Sequence, residues 1–236
     1  GVQTCALPIL ELTEKGILNL PVVAEASLEE DNKKVITKTI ETFGSIDVLI
    51  NNAGMSMRAL FENLDLAVIK KLMNVNFYGT VYATKYALPH IIKSKGSIIG
   101  ISSIAGFRGL PGRTGYSASK FAMQGFFEAL RTELMKKEVH VLVVCPGYTN
   151  TNIRNTALSA DGTQQSESPL DESKLMSSEE VASHILKATR KRKRDLVLTT
   201  QGKLAFFMNS WFPAFMDRKV YSHLAKEKDS PFGTTD

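Results

Sequence analysis

Tyr116 and Lys120 stand four residues apart, a spacing that places both side chains on one face of a helix. An unperturbed phenol titrates near pH 10 and is a poor acid or base at neutral pH, but a neighbouring ammonium favours the phenolate and lowers the phenol pKa. Ser103, thirteen residues before the tyrosine, could hold a carbonyl oxygen beside it. Together the three side chains predict general acid–base chemistry on a carbonyl or an alcohol. The pair alone is also typical of an ordinary helix surface, so this interpretation needs support from the rest of the chain.

Apolar runs alternate with amphipathic segments along the chain. The sequence predicts strands at residues 20–24, 48–50, 96–103, 139–145 and 196–198. It predicts helices at residues 27–43, 65–92, 115–137 and 177–191. Two of these helices have a capping-box pattern, Ser27 with Glu30 and Ser177 with Glu180. Strands that alternate with helices are typical of right-handed crossovers, so we expect an α/β fold with a doubly wound parallel sheet.

Three polar clusters lie at the ends of predicted strands: residues 51–54 and 146–151 directly follow a strand, and residues 102–103 are the last of another. Strand ends need turn-forming residues anyway, which would explain any one of these clusters. In doubly wound sheets, however, ligands bind at the carboxyl ends of the strands. Three clusters at one edge therefore indicate a binding site there.

Five motifs in chain order resemble those of the short-chain dehydrogenase/reductase family, and the resemblance extends over about residues 20–199. They are the Asn-Asn-Ala-Gly turn at residues 51–54, Asn76, Ser103, the pair Tyr116 and Lys120, and Pro146-Gly147 with Thr149 and Thr151. The resemblance implies a Rossmann-like fold. It also implies hydride transfer between a nicotinamide cofactor, NADP or NAD, and a ketone or aldehyde that becomes an alcohol.

The resemblance assigns a catalytic role to four residues. Tyr116 would be the general acid or base, and Lys120 would lower its pKa and bind the nicotinamide ribose. Ser103 would orient the carbonyl oxygen, and Asn76 would hold a proton-relay water beside Lys120. Tyr148 would face the substrate.

The resemblance also implies a set of cofactor contacts. They are Glu25, Asn52, Ala53, Gly54, Tyr116, Lys120, Pro146, Gly147, Thr149 and Thr151. Residues 52–54 would line the adenosine side, and residues 146–151 would surround the nicotinamide end. Glu25 would lie near the adenine, where the family more often has aspartate.

The family's pyrophosphate-binding turn, Thr-Gly-x-x-x-Gly-x-Gly, has no counterpart in the sequence. We therefore expect a Rossmann-like sheet that is N-terminally incomplete, and a chain that is catalytically impaired by itself. Residues 1–9 show no periodicity and are expected to be foreign to the fold or without regular structure. Residues 10–199 would form the partial Rossmann-like domain, and residues 200–236 a C-terminal helical extension.

Residues 204–216 are the most aromatic stretch of the chain, too short to span a bilayer and interrupted by Pro213. Three interpretations remain open for them: packing over the substrate cleft, a dimer contact, or peripheral membrane contact through residues 204–221. By resemblance, such a tail implies that the substrate is a small molecule, a carbonyl compound or an alcohol, with a bulky apolar body. Residues 152–176 are polar and would form a mobile substrate lid.

The chain has a net charge of +5, and the run of basic residues at 190–194 accounts for all of it. We interpret this run as a solvated helix end and expect no nucleic-acid partner. Two cysteines and four scattered histidines predict neither a disulfide framework nor a metal site. A reducing, cytoplasmic setting fits this composition, with membrane association through the tail as the alternative.

The leading hypothesis is an enzyme whose intact form is a homodimer or homotetramer. The alternative is a catalytically inactive remnant that acts only as an interaction or dimerisation module, through residues such as Phe126, Ala129 and Leu130.

Overall fold

A computed structural model of the protein describes residues 6–165, 175–226, 230 and 232. The helices are α1 (Ala6–Glu14), α2 (Glu29–Phe43), α3 (Leu66–Leu72), α4 (Gly79–Ser94), α5 (Thr114–Glu133), α6 (Ser178–Arg190), α7 (Thr200–Trp211) and α8 (Pro213–Leu224). The strands are β1 (Val48–Asn51), β2 (Ser97–Ile101), β3 (His140–Cys145) and β4 (Asp195–Val197). They form one parallel sheet in the order β1-β2-β3-β4.

Helices cover both faces of this sheet, and alternate residues of each strand face them. Ile98 and Val141 pack with α2, α4 and α5 in one apolar cluster. Their neighbours Ile99 and Leu142 pack on the other face, against Ala188 of α6. Strands buried on both sides need continuous apolar runs, which β2 and β3 have. The predicted α/β doubly wound parallel sheet is thus confirmed.

Residues 20–24 are not a strand, contrary to the prediction from their apolar run. They have no ladder hydrogen bonds to another strand, and β1 pairs with β2 alone within the described part of the chain. An apolar run becomes a strand only where a neighbouring backbone supplies hydrogen bonds. The prediction failed because periodicity does not reveal the partner.

The two predicted capping boxes have different outcomes. At α6 the box is complete: the Ser177 hydroxyl accepts from the Glu180 N–H, and the Glu180 carboxylate accepts from the Ser177 N–H. At α2 the N-cap is Leu28, without a side-chain cap, and the Ser27 hydroxyl donates to the Glu25 carboxylate instead. The Ser27 prediction was wrong because a nearer acceptor took its hydroxyl.

The long helix predicted at residues 65–92 is three segments. Asp65 caps α3 by accepting from the Ala67 N–H, and a π-helical segment, Met73–Tyr78, connects α3 to α4. Such π-helical insertions change which side chains face the core and are frequent at functional sites. This one places Asn76 in the interior.

At both ends of the chain the helices extend beyond the sheet. Helix α1 begins at Ala6, so the expectation of no regular structure for residues 1–9 does not hold from that point on, and residues 1–5 lie outside the described residues. Pro213 is the first residue of α8, where its missing N–H costs nothing, and it separates α8 from α7. Of the helices described, none is long and apolar enough to cross a membrane.

The first part of the expected lid packs against the body. Ala157 and Leu158 are buried, and Leu158 forms isolated bridges with Met57 and with Gln164. Residues up to 165 thus contact the rest of the domain, and their role as a mobile substrate lid stays a prediction. Residues 166–174 of the predicted lid lie outside the described residues.

Gly100 of β2 provides a test of the packing between the sheet and α5. A Cβ at this position would lie 2.6 Å from Cδ2 of the Phe127 ring, which is fully buried. We expect Gly100→Ala to lower the free energy of unfolding by about 1–3 kcal/mol, because the ring must shift inside a dense core.

Gly125, in the middle of α5, is the matched control, since a Cβ there meets no atom within 4 Å. Gly125→Ala should stabilise the protein by up to about 1 kcal/mol through helix propensity. Urea denaturation of both variants measures the two changes, and equal effects would contradict the packing described.

Candidate active site

The carboxyl ends of β1, β2 and β3 bring the three predicted clusters together. The loop after β2 is bonded to β3 and the loop after it, through Ser102 N–H to the Val144 carbonyl (2.8 Å) and Ile104 N–H to the Pro146 carbonyl (3.2 Å). Gly54, after β1, lies against α5, because a Cβ built on it would be 3.5 Å from Lys120 Nζ. One edge of the sheet thus holds residues from all three clusters, as predicted.

A buried amide, that of Asn76, connects two elements of this edge. Its Oδ1 accepts from the Met55 N–H (2.8 Å), and its Nδ2 donates to the Met55 carbonyl (3.0 Å) and to the Ser119 hydroxyl (2.8 Å). Ser119 in turn donates to the Tyr116 carbonyl (2.7 Å). Asn76 therefore fixes the turn after β1 to α5, and its two N–H donors are already used. A relay water could only donate to its Oδ1.

Lys120 is a buried cation without a carboxylate partner among the described residues. Its Nζ donates to the Ile101 carbonyl at the end of β2 (2.8 Å) and lies 3.6 Å from Met123 Sδ. Burial disfavours the charged form and lowers the Lys120 pKa to about 8. A lysine with this pKa can exchange its proton near physiological pH.

Tyr116 and Ser103 meet as predicted, but the phenol pKa moves in the opposite direction from the expectation. The Tyr116 pKa is raised, first because the phenol is buried, while a hydrogen bond from Ser103 and the positive charge of Arg113 lower it by less. Lys120 Nζ lies 5.9 Å from the centre of the Tyr116 ring and is bonded to a main-chain carbonyl instead. The spacing of four residues predicted that Tyr116 and Lys120 share one helix face, but it could not predict that the phenol is buried.

Arg113 is a residue beside Tyr116 that the sequence reasoning missed. It is only 9% exposed, its guanidinium carbon lies 5.9 Å from the centre of the Tyr148 ring, and its charge acts on Tyr116. Arg113 is the N-cap residue of α5, where the helix dipole disfavours a cation. A basic residue two positions before the helix predicted at residues 115–137 was the signal that could have identified it.

The remaining predicted contacts lie around this centre. Asn52 and Ala53 are exposed beside Gly54. A Cβ on Gly147 would lie 3.2 Å from Thr199 Oγ1, so this turn sits close to the end of β4. Three partly buried residues follow it: Tyr148 under Arg113, Thr149 in an isolated bridge with Met176, and Thr151 on the next turn.

Glu25 lies apart from the catalytic centre. It borders a cavity of about 400 Å³ together with Ser27, Lys70, Lys71 and Asn74. This cavity adjoins the π-helical segment that carries Asn76, because a Cβ on Gly79 directly after that segment would lie 2.6 Å from the Ala26 carbonyl oxygen. Glu25 therefore lies at this cavity, next to the π-helical segment.

The nicotinamide end of a dinucleotide fits the residues present. A Cβ on Gly54 would lie 3.3 Å from Asn76 Oδ1, so only a glycine leaves the space between the turn and Lys120 open. Lys120 and Tyr116 could hold the ribose hydroxyls there, with residues 146–149 around the ring. The described residues contain no Gly-rich turn between a strand and a helix that could bind the pyrophosphate.

Comparison with known proteins identifies the family. The sequence profile described as short chain dehydrogenase matches residues 4–162. The chain belongs to the short-chain dehydrogenase family. The protein "Dehydrogenase/reductase SDR family member 7B" of Mus musculus is 37% identical over 193 residues, which are 81% of this chain and 60% of that protein. The "Dehydrogenase/reductase SDR family protein 7-like" of Anopheles gambiae is 32% identical and covers 96% of this chain and 74% of its own length.

Solved structures of short-chain dehydrogenases share the fold. One from Streptomyces avermitilis superposes with a TM-score of 0.72 at 22% identity, covering 93% of this chain and 86% of that one. Another, from Burkholderia cenocepacia in complex with NADP, has the same TM-score and identity, with 85% and 80% covered. The chain spans about 60% of the length of the mouse relative. Members of this family are generally oxidoreductases.

The charge of Arg113 gives a prediction for the titration of Tyr116. Arg113→Leu should move the phenol pKa to a still higher value, because a charge that favours the phenolate is lost. The measurement is phenolate absorbance at 295 nm against pH, with Tyr116→Phe subtracted to isolate this residue. Arg113→Lys, which keeps the charge, should retain most of the wild-type titration, and an unchanged titration in Arg113→Leu would refute the role.

Burial of Lys120 gives a prediction for stability against pH. A folded-state pKa of about 8, below the usual 10.5, means that protonation opposes folding. The destabilisation is absent above about pH 10.5 and complete below about pH 8. Lys120→Met removes it, so the gain in unfolding free energy relative to wild type should be larger at pH 7 than near pH 10.5, by about 3 kcal/mol.

Urea denaturation of wild type and Lys120→Met at several pH values between 7 and 10.5 measures this difference. Lys85→Met, at an exposed position of α4, is the control for loss of a lysine at the surface. A difference that does not change with pH would show that the buried amine is not the cause.

Proposed function

We propose that the protein interconverts a ketone or aldehyde and an alcohol by hydride transfer with NADP(H) or NAD(H). The observation that carries the proposal is the buried Tyr116 phenol, hydrogen-bonded to Ser103, with Lys120 behind it at the carboxyl edge of the sheet. When bound, the nicotinamide supplies the hydride to the carbonyl carbon or accepts it from the alcohol.

In the proposed reduction, the Ser103 hydroxyl donates to the substrate carbonyl oxygen and holds it beside Tyr116. The phenol then gives its proton to the oxygen as negative charge develops there. Because burial raises the Tyr116 pKa, the phenol is protonated at neutral pH, which is the form that reduction requires. Ser103 and Arg113 both favour the phenolate that remains.

Lys120 is the proposed source of the proton that restores Tyr116. Its pKa of about 8 makes the ammonium a better donor than an ordinary lysine. Asn76 is proposed to accept from a water beside it, while its amide N–H groups position Met55 and Ser119. In this arrangement Asn76 acts mainly by fixing the position of α5 relative to the turn after β1.

A bulky apolar substrate is the class that we propose. Tyr116 packs in a cluster of apolar side chains that includes Met57, Leu72, Ala105 and Leu158. Transfer of an apolar substrate body from water to apolar surroundings beside this cluster would be favourable. Tyr148 would contact it from the loop after β3.

For the cofactor we favour NADP(H) over NAD(H). The Burkholderia structure is described as a complex with NADP, and that of an alcohol dehydrogenase from Thermococcus sibiricus as a complex with 5-hydroxy-NADP. The described residues contain no turn that could bind the cofactor pyrophosphate. The proposed activity therefore belongs to a protein in which this chain is accompanied by such a turn.

A second candidate function is an interaction module without catalysis, and a homodimer or homotetramer is proposed with either function. Exposed aromatic residues on adjacent segments, Tyr78 and Phe121, favour a protein contact there. Phe126 is partly buried and Ala129 is exposed, but Leu130 packs in the core and is not available for such a contact.

Tyr116→Phe tests the enzyme proposal. It should lower kcat/KM for reduction of large apolar ketones by at least about 100-fold, because the proton donor is lost while the ring stays. NADPH absorbance at 340 nm measures turnover, and Tyr82→Phe on α4 is the matched control. Unchanged turnover in Tyr116→Phe would contradict the mechanism. The test uses a protein that includes a pyrophosphate-binding turn, and if that protein is folded but neither binds NADPH nor turns over, the interaction module is favoured.

A further inference from the structure

Helix α7 is attached to the loop after Ser103 by one face. Gly202 packs on Ile104, the Phe206 ring lies 4.9 Å from the Phe107 ring, and the Asn209 amide donates to the Phe107 carbonyl. The spacing i, i+4, i+7 places these α7 residues on one stripe. The tail therefore packs against the loop that follows Ser103, and its packing over a substrate cleft stays a prediction.

The opposite stripe of α7 has no partner in the described structure. Leu204, Phe207 and Trp211 occupy positions i, i+3 and i+7 there, and they are 59%, 56% and 69% exposed. Phe212 and Phe215 continue the apolar surface across the bend, at 55% and 49% exposure. We call these five residues the outer aromatic surface. Contiguous exposed apolar patches of this kind mark interaction sites on soluble domains.

The charges along the segment that carries the outer aromatic surface are mostly positive. Residues 196–216 contain no acidic side chain. Lys203 is exposed on α7, and Lys219 Nζ lies 5.8 Å from the centre of the Phe215 ring. The first acidic residue, Asp217, is exposed, and its carboxylate is neutralised by an ion pair with the mostly buried Arg108 (2.6 Å). Aromatic residues flanked by cations are typical of surfaces that bind anionic lipid headgroups.

The charges also discriminate between a lipid surface and a second copy of the chain. In a two-fold symmetric dimer the same patch meets itself, which would bring the lysines of one copy towards those of the other. A membrane with anionic headgroups offers the opposite charge and an apolar interior to the aromatic rings. Helices α7 and α8 have twelve residues each, so they would lie along the interface and not span it.

We propose that the outer aromatic surface binds the interface of an anionic lipid bilayer. Leu204, Phe207 and Trp211 enter the headgroup–acyl boundary, and Lys203 and Lys219 contact the anionic headgroups. The proposal is independent of the catalytic function, because none of these residues belongs to the candidate active site. Arg108 bonds to Asn209 and Asp217 and so holds α7 and α8 beside the loop that carries Ser103.

The basic run 190–194 does not contribute to this surface. The Arg192 guanidinium donates to the Lys95 and Glu138 carbonyls, and the Lys193 carbonyl is bonded to His140 at the start of β3. The run therefore lies at the amino edge of the sheet, whereas α7 follows the carboxyl end of β4. Its exposed lysines supply a matched control of equal charge.

Trp211 is the only tryptophan of the chain and reports on the proposed surface directly. Its emission should shift to shorter wavelength when the full chain is mixed with vesicles of phosphatidylcholine and phosphatidylserine. Phosphatidylcholine vesicles alone should give a much weaker shift. Sedimentation with the vesicles should show the same dependence on lipid and should weaken at high salt.

Lys203→Gln and Lys219→Gln should each weaken binding to the anionic vesicles about fivefold, as expected for loss of one cation near the surface. Lys191→Gln and Lys193→Gln, at the opposite edge, should leave it unchanged. Phe207→Ser should abolish most of the binding, with circular dichroism to confirm that the fold is intact.

Three results would overturn the proposal: no emission shift with anionic vesicles, equal losses from the two pairs of lysine variants, or binding that survives Phe207→Ser. An emission shift that depends on protein concentration without vesicles, and is lost in Phe207→Ser, would show that a second copy covers the surface instead.

Discussion

The buried ammonium of Lys120 is the constraint around which the candidate active site is arranged. A charge removed from water must be solvated by the protein, and here the Ile101 carbonyl at the end of β2 provides the hydrogen bond. That carbonyl is free to accept because the ladder of the sheet ends at this residue. The position of α5 over the carboxyl edge, and with it the position of Tyr116, therefore depends on where β2 stops.

Opposing effects of burial, hydrogen bonding and charge set the pKa of Tyr116. Burial raises its pKa, and the Ser103 hydrogen bond and the Arg113 charge lower it without reversing the shift. The spacing of four residues from Lys120 brings the amine over the ring face and not to the phenol oxygen. The site thus holds a protonated phenol and an amine of lowered pKa, a combination that suits donation of a proton to a substrate oxygen.

The tail and the catalytic loop form one structural unit. Arg108 follows the Ser103 loop and bonds to both helices of the tail, and Asn209 returns a bond to the same loop. The inner stripe of α7 is therefore used for packing, and the outer aromatic surface of the tail remains exposed.

The sequence by itself determined the local features. The apolar runs of β2 and β3, the capping box at Ser177 and the order of the strand-end clusters all follow from neighbouring residues, so the α/β fold could be predicted. Asn76, Ser103, Tyr116 and Lys120 were assigned by resemblance to the family, and their catalytic roles stay predictions. The tertiary structure decided whatever depends on distant partners. Residues 20–24 have an apolar pattern but no strand beside them, and Asn76 faces the interior only because of a π-helical segment. Arg113 acts on Tyr116, and the pKa of Tyr116 rises, because burial and charge depend on distances that a linear pattern does not contain.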